Sequence, residues 1–247
     1  MKPLTINERV DYHSNVRRRF NSDTSDHEMT ILLEQGNYRH LRFRSPKTGM
    51  YWFDLITWPG NLTIRADMGN YSFARETDMF AWFGTEYVNA QYWAEKLTAQ
   101  DSSGRRTDGG VQEFQPRLFK EWVLRDFWDR SRTMDAKDAK TVWDDLRIYM
   151  FEDWSNSNKT PPETENEAAD LLNRYSSPLY DFHDWYESTE AWKDYTVFYL
   201  WCCHAIISGI RDYREHQANQ DVLTTALADT EGQQLVQDIL DRVGADK

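Results

Sequence analysis

Few residues in this sequence could do chemistry, and their spacing does not form a known catalytic pattern. The adjacent His183 and Asp184 can ligate a metal ion, but such a site needs a further histidine from a helix. His40 does not supply it, because it lies in a segment with strand-like alternation. The chain has no glycine-rich phosphate loop and no CxxC, HExxH or GxSxG motif. We therefore assign no catalytic residue, no metal ligand and no cofactor, and we favour a non-enzymatic protein.

The two cysteines, Cys202 and Cys203, are adjacent to each other and to His204. Neighbouring side chains on a helix diverge by about 100°, so a disulfide between them would be strained. For the same reason, three consecutive helical residues cannot ligate one metal ion. Packed thiols and a buried histidine are the simpler interpretation. Without a disulfide framework or an apolar leader, the chain is expected in a reducing, cytoplasmic compartment.

Charge is segregated along the chain, whose formal net charge is −12. Residues 38–75 hold six basic and two acidic residues, whereas residues 135–195 hold fifteen acidic and six basic residues. A helix predicted over 135–154 carries two pairs of carboxylates, which are Asp144, Asp145, Glu152 and Asp153. Such a surface favours a basic partner and disfavours nucleic acid. We predict that these four residues bind a partner, although an ordinary solvated helix face would have the same composition.

The segment 38–74 has the pattern of an antiparallel sheet. Four runs rich in alternating, aromatic and β-branched residues are separated by tight-turn sequences such as SPKTG and DMGN. Strands joined by short turns pair with their neighbours in sequence. We therefore predict a four-stranded antiparallel meander.

The outer face of this sheet is a second candidate surface. The strand at 50–58 fits in two ways, because either Asp54 or Phe53 could point outward together with its alternate neighbours. The first arrangement places Asp54 between arginines of both neighbouring strands, which is electrostatically favourable. The outer face would then be basic and aromatic, as in surfaces that bind single-stranded nucleic acid, unless helices cover it. Its candidate binding residues are Arg42, Arg44, Arg65 and Trp52.

Helical periodicity dominates after residue 76. Two helices are predicted at 76–83 and 86–98, before the polar loop 101–110. Further helices are predicted at 113–131, 135–154, 160–175 and 194–215, with a short last helix near the C-terminus. The uncharged run at 195–210 is too short to span a bilayer, so a helix buried in the protein is expected there.

The elements predict an α+β protein in which the meander packs with a mainly helical C-terminal half. Residues 1–27 have the composition of a polar, poorly ordered arm. Residues 28–100 would contain the sheet and two helices. Residues 111–247 would form an acidic helical region, either separate from the sheet or continuous with it.

The region around the sheet resembles a family of uncharacterised proteins found in phages and prophages. The resemblance covers residues 36–83, in the run GNYRHLRFRSPKTGMYWFDLITWPGNLTI followed by DMGNYSFARETDMFAWF. It implies a phage accessory protein that acts inside a bacterial cell. Such proteins include inhibitors of host defence, for example anti-CRISPR proteins, many of which are small, acidic and non-enzymatic.

Three functional hypotheses follow. The first is an interaction protein whose acidic helical surface mimics nucleic acid and occupies a basic host protein or nucleoprotein complex. The second is a nucleic-acid-binding protein that uses the basic, aromatic sheet face. The third is a hydrolase or nuclease whose metal site cannot be read from sequence spacing.

Overall fold

The computed structural model of the chain describes residues 7–100, 110–152, 161–228, 232 and 234. Contacts divide the chain into two compact units. We call them the sheet unit (residues 12–105 and 197–247) and the helical unit (residues 1–11 and 106–196). The last long helix thus groups with the sheet, although it lies within residues 111–247, for which both a separate region and continuity with the sheet were predicted.

Elements are numbered in chain order. The strands are β1 (Glu28–Gln35), β2 (Tyr38–Arg44), β3 (Phe53–Trp58), β4 (Asn61–Ala66), β5 (Gly69–Ala74), β6 (Leu97–Gln100), β7 (Gln112–Phe114) and β8 (Lys193–Tyr195). The α-helices are α1 (Asn7–Asp23), α2 (Met79–Phe83), α3 (Ala90–Ala94), α4 (Pro116–Ser131), α5 (Ala136–Leu146), α6 (Glu165–Arg174) and α7 (Val197–Ala228). A π-helical segment (Arg147–Glu152) follows α5, and a 3-10 helix (Trp185–Trp192) precedes β8.

Strands β1 to β6 form one antiparallel sheet in sequential order, which confirms the α+β class and the meander over residues 38–74. The prediction of four strands is wrong, because β1 and β6 extend the sheet at its two edges. β1 was missed because a bulge between Ile31 and Leu33 interrupts its alternation. β6 was missed because residues 97–100 pair with β5 instead of continuing the helix predicted over 86–98.

The N-terminal helix α1 is a further correction. A poorly ordered arm was predicted over residues 1–27, but Asn7–Asp23 are helical. Val16 and Phe20 are buried, and the Phe20 ring lies 5.0 Å from that of Trp201 on α7. The Trp201 indole also donates a 3.1 Å hydrogen bond to Asp23. Two apolar residues four positions apart therefore anchor an otherwise polar helix.

The long helix α7 covers the inner face of the sheet. Tyr199 contacts Tyr71 on β5, and Gly209 lies against Leu55 on β3. Further along, the Tyr213 hydroxyl donates a hydrogen bond to Glu34 on β1. The helix therefore crosses the sheet from β5 to β1. The predicted burial of residues 195–210 is confirmed for the apolar centre of the helix, and none of the described helices is long and apolar enough to cross a membrane.

The helical unit is built around one aromatic-rich core. The strands at the two ends of this unit, β7 and β8, pair with each other. Beside them, Thr196 N–H donates to Val111 C=O at 2.9 Å. Helix α6 begins later than the predicted residue 160, since Thr164 and Glu167 form the capping box. The core contains the buried residues Phe119, Val123, Val142, Leu146, Met150, Ala168, Leu172, Tyr175, Tyr180, Phe182 and Trp192.

Candidate functional site

The orientation of β3 decides what the outer face of the sheet carries. Phe53 and Leu55 are buried toward α1 and α7, so Asp54 points to the opposite face. The register then places Asp54 between Arg42 of β2 and Arg65 of β4. This is the first of the two arrangements considered from the sequence. Because α1 and α7 both pack on the inner face, neither helix covers the outer face.

Asp54 is the most buried carboxylate of the sheet, with 1% of its surface exposed. Arg42 donates two hydrogen bonds of 2.8 Å to its two oxygens, and His40 Nε2 lies 3.1 Å from Oδ2. Burial alone would raise the pKa of Asp54, but the hydrogen bonds from Arg42 and His40 outweigh it and hold that pKa below its ordinary value. Asp54 is therefore ionised at neutral pH, and its charge is compensated by Arg42.

The remaining predicted residues of this face have neighbours of their own. The Arg65 guanidinium lies 5.1 Å from the centre of the Trp52 ring, in a cation–π contact. Arg44 is exposed, and the register places it opposite Glu28 of β1. The structure thus brings Arg65 and Trp52 together, whereas Arg42 is engaged by Asp54.

Other cations of this region are compensated by acidic residues that lie outside residues 38–75. Arg39 forms a 2.9 Å ion pair with Asp78, and Lys47 lies 3.5 Å from Asp26. Both acids lie outside the counted segment, as Glu28 does. The excess of positive charge in the sequence is therefore much weaker on the folded surface, which reduces the attraction for a phosphate backbone.

The acidic helical surface lies on α5. Val142 and Leu146 are fully buried in the core, so Asp144 and Asp145 lie on the solvent side of the helix. Asp144 accepts a hydrogen bond from Lys140, and this contact lowers the pKa of Asp144. Glu152 ends the π-helical segment, but its side chain lies outside the described part of the chain, and so does all of Asp153.

Several other carboxylates of the helical unit have local structural roles. Asp135 caps α5 by accepting hydrogen bonds from two backbone N–H groups. Lys193 forms ion pairs with Glu165 at 3.1 Å and Glu190 at 2.9 Å. The unit nevertheless remains strongly acidic, because residues 106–196 include 20 acidic and 12 basic residues.

A partly buried polar network in the helical unit was not predicted from the sequence. The Tyr180 hydroxyl donates to Asp126, while Arg130 lies over the Tyr180 ring at 5.3 Å. Arg130 also donates to the Asp181 carbonyl at 2.8 Å. Burial, reinforced by the bond to Asp126, raises the pKa of Tyr180, so the phenol stays neutral and ties α4 to the following segment. From the sequence, the i, i+4 spacing of Asp126 and Arg130 indicated only that these two residues could form an ion pair.

The residues considered for metal or thiol chemistry differ in their burial. Burial raises the pKa of the Cys203 thiol, which keeps it protonated and unreactive. Burial also lowers the pKa of His204 to about 4, assisted by Arg17 and His13. His183 is exposed, with Nε2 2.8 Å from Asp181 Oδ2. Within the described ranges, no group of three or more His, Cys, Asp or Glu residues is arranged to hold a metal ion.

Comparisons with known proteins identify no relative of this chain. No protein-family model, no curated protein and no solved structure matches the chain. The resemblance of residues 36–83 to phage and prophage proteins therefore stays a prediction.

Proposed function

We propose that this chain is a non-enzymatic accessory protein that binds a basic partner through the acidic side of its helical unit. The orientation of α5 carries the proposal. Its apolar residues Val142 and Leu146 fill the core, whereas Asp144 and Asp145 lie toward solvent. Since neither carboxylate packs the core, both can meet a partner without a cost to folding.

The charge of the unit supports a partner that ordinarily binds nucleic acid. A surface with an excess of carboxylates attracts a basic channel and can place negative charge where phosphates would lie. We infer a basic host protein or nucleoprotein complex as partner. The resemblance of residues 36–83 adds a phage-encoded inhibitor of host defence, acting in the bacterial cytoplasm, as the biological setting.

Capture from bacterial cells tests the partner class. The tagged protein should retain a nucleic-acid-binding protein that is released by added duplex DNA and by salt. With the purified partner, the variant Asp144→Lys/Asp145→Lys should slow association by about tenfold or more, because long-range attraction acts mainly on the association rate. The matched control Glu76→Lys/Glu86→Lys makes the same change of charge on exposed residues of the sheet unit. Equal effects of both double variants would show that α5 is not the binding surface.

A second candidate function is favoured by one observation on the sheet. Arg65 and Trp52 form a cation–π pair on the outer face, which neither α1 nor α7 covers. Single-stranded nucleic acid binds such platforms through phosphate contacts and base stacking. A mobility-shift assay at low salt with single-stranded oligonucleotides would then show binding that Arg65→Ala and Trp52→Ala abolish. Arg42→Ala is not a clean test, because it leaves Asp54 buried without its partner.

A further inference from the structure

Strand β1 is an open edge of the sheet. Among the described residues it pairs with β2 alone, and its eight residues include no proline. The outward N–H and C=O groups of such a strand form a template for another strand. Two consecutive leucines on β1, Leu32 and Leu33, are 48% and 47% exposed. The centre of the edge is therefore apolar and uncharged, and it contains the bulge between Ile31 and Leu33.

The end of α7 lies at the same edge. Tyr213 and Gln217 both donate hydrogen bonds to Glu34 of β1, and the helix continues to Ala228. At a rise of 1.5 Å per residue, the residues after Gln217 extend the helix by about 16 Å. Residues 218–225 are all exposed, including Val222 at 67% and Leu223 at 56%. A helical stretch exposed on every side lacks the packing that normally stabilises helices.

The residues of β1 are complementary to a second copy of the same strand. The pairing with Arg42 and His40 places Thr30 and Leu33 on the outer face, while Met29 and Glu34 lie on the inner face. In the antiparallel register that aligns all eight residues of two copies, the residues on either side of the bulge meet residues of their own face. Thr30 then lies opposite Leu33, and Met29 opposite Glu34.

We propose that the chain forms a two-fold symmetric dimer in which β1 pairs antiparallel with β1 of a second copy. The pairing joins two six-stranded sheets into one continuous sheet and shields the exposed leucines. Glu28 meets Gln35 in this register, so no carboxylate lies directly opposite another carboxylate.

The response to added salt distinguishes this dimer from the binding of a basic partner. Two copies that each carry a net charge of −12 repel each other, so added salt strengthens the dimer. The same salt weakens association between the acidic helical surface and a basic protein. The two interactions therefore respond in opposite directions, and failure of one leaves the other testable.

Sedimentation velocity over a range of concentrations tests the dimer. The wild-type protein should show a monomer–dimer equilibrium, and Leu33→Lys should weaken it at least tenfold by placing a charge at the junction. Trp128→Lys is the matched control, because it replaces another exposed apolar residue with lysine, in the helical unit. A wild-type protein that remains monomeric at all concentrations overturns the proposal.

Disulfide trapping tests the register. Thr30→Cys and Leu33→Cys, each prepared alone, should not cross-link, whereas an oxidised mixture of the two should give a covalent dimer. The native Cys202 and Cys203 are buried and do not interfere. Circular dichroism shows whether each variant is folded. A dimer that resists Leu33→Lys and gives no cross-link in the mixture uses another surface, and the proposal is then wrong.

Discussion

Arg42 and Asp54 form a two-pronged ion pair across strands β2 and β3, with both N–O distances at 2.8 Å. The carboxylate is almost fully buried, whereas 38% of the Arg42 side chain is exposed. The pair therefore compensates a charge inside the sheet and does not present a free cation to a ligand. Its contribution to stability is larger than that of a surface ion pair, because removal of Arg42 leaves the buried Asp54 carboxylate without its main partner.

We expect Arg42→Ala to lower the free energy of unfolding by about 2 kcal/mol. The loss of a buried pair costs more than this, but solvent around the half-exposed arginine screens part of the effect. Urea unfolding followed by circular dichroism measures the change. Arg65→Ala is the control, since it removes an exposed arginine of the same face. A loss below about 0.5 kcal/mol for Arg42→Ala would contradict a structural role of the pair.

Stability should fall as the pH decreases from about 6.5 to 4 because of His204. Its pKa is about 4 in the folded protein, below the ordinary value of 6.5, since burial and the nearby Arg17 and His13 disfavour the charged imidazole. Between these pH values the unfolded chain binds the proton and the folded chain does not. The depressed pKa thus contributes stability above pH 6.5 that is lost toward pH 4, by up to about 3 kcal/mol.

Denaturant unfolding at several pH values measures this dependence. In His204→Gln the slope between pH 6.5 and 4 should decrease by up to about 1.4 kcal/mol per pH unit. His183→Gln is the control, because His183 is 77% exposed and lies in the helical unit. If the two variants have the same pH profile, the burial of His204 does not control acid stability.

Gly209 sets the distance between α7 and the sheet. A Cβ atom at this position would lie 2.7 Å from Leu55 Cδ1 and 3.0 Å from the Phe43 ring. Gly209→Ala should therefore destabilise the protein by about 1–3 kcal/mol, despite the better helix propensity of alanine. Thermal unfolding checks it against Gly49→Ala, where no atom lies within 4 Å of the added carbon. An unchanged melting temperature for Gly209→Ala would mean that α7 can shift away from β3.

Ile206 tests whether the apolar run of α7 is core. It is completely buried, so Ile206→Asp places an unpaired charge between the helix and the sheet. We expect a loss of about 4 kcal/mol or more and little soluble, folded protein. Ile148→Asp makes the same replacement at a residue that is 51% exposed and should fold normally. Soluble yield and circular dichroism distinguish the two, and a normally folded Ile206→Asp would place the run at an interface.

The meander over residues 38–74 could be predicted because its information is local. Leu41 and Phe43 alternate with arginines, and each turn carries residues that favour reversal of the chain. The edge strands could not be predicted in the same way. β1 contains a bulge and β6 has four residues, so both depend on backbone pairing with a strand that is already formed.

The acidic candidate surface was partly readable, since the apolar residues of α5 repeat with helical spacing and leave Asp144 and Asp145 on the other side. The net positive charge of the basic surface could not be predicted from the sequence. Glu28, Asp26 and Asp78 lie outside the basic segment in sequence, yet all three lie beside its cations in the fold.

The sequence by itself determined the α+β class, the order of the central strands and the acidity of the helical unit, because these follow from local periodicity and composition. Tertiary structure decided which face of β3 is buried, that α1 packs on α7, and that Arg42 is paired with Asp54. Those outcomes depend on contacts between residues far apart in the chain. Burial and ion-pair energies act through space, so residue spacing along the chain does not specify them.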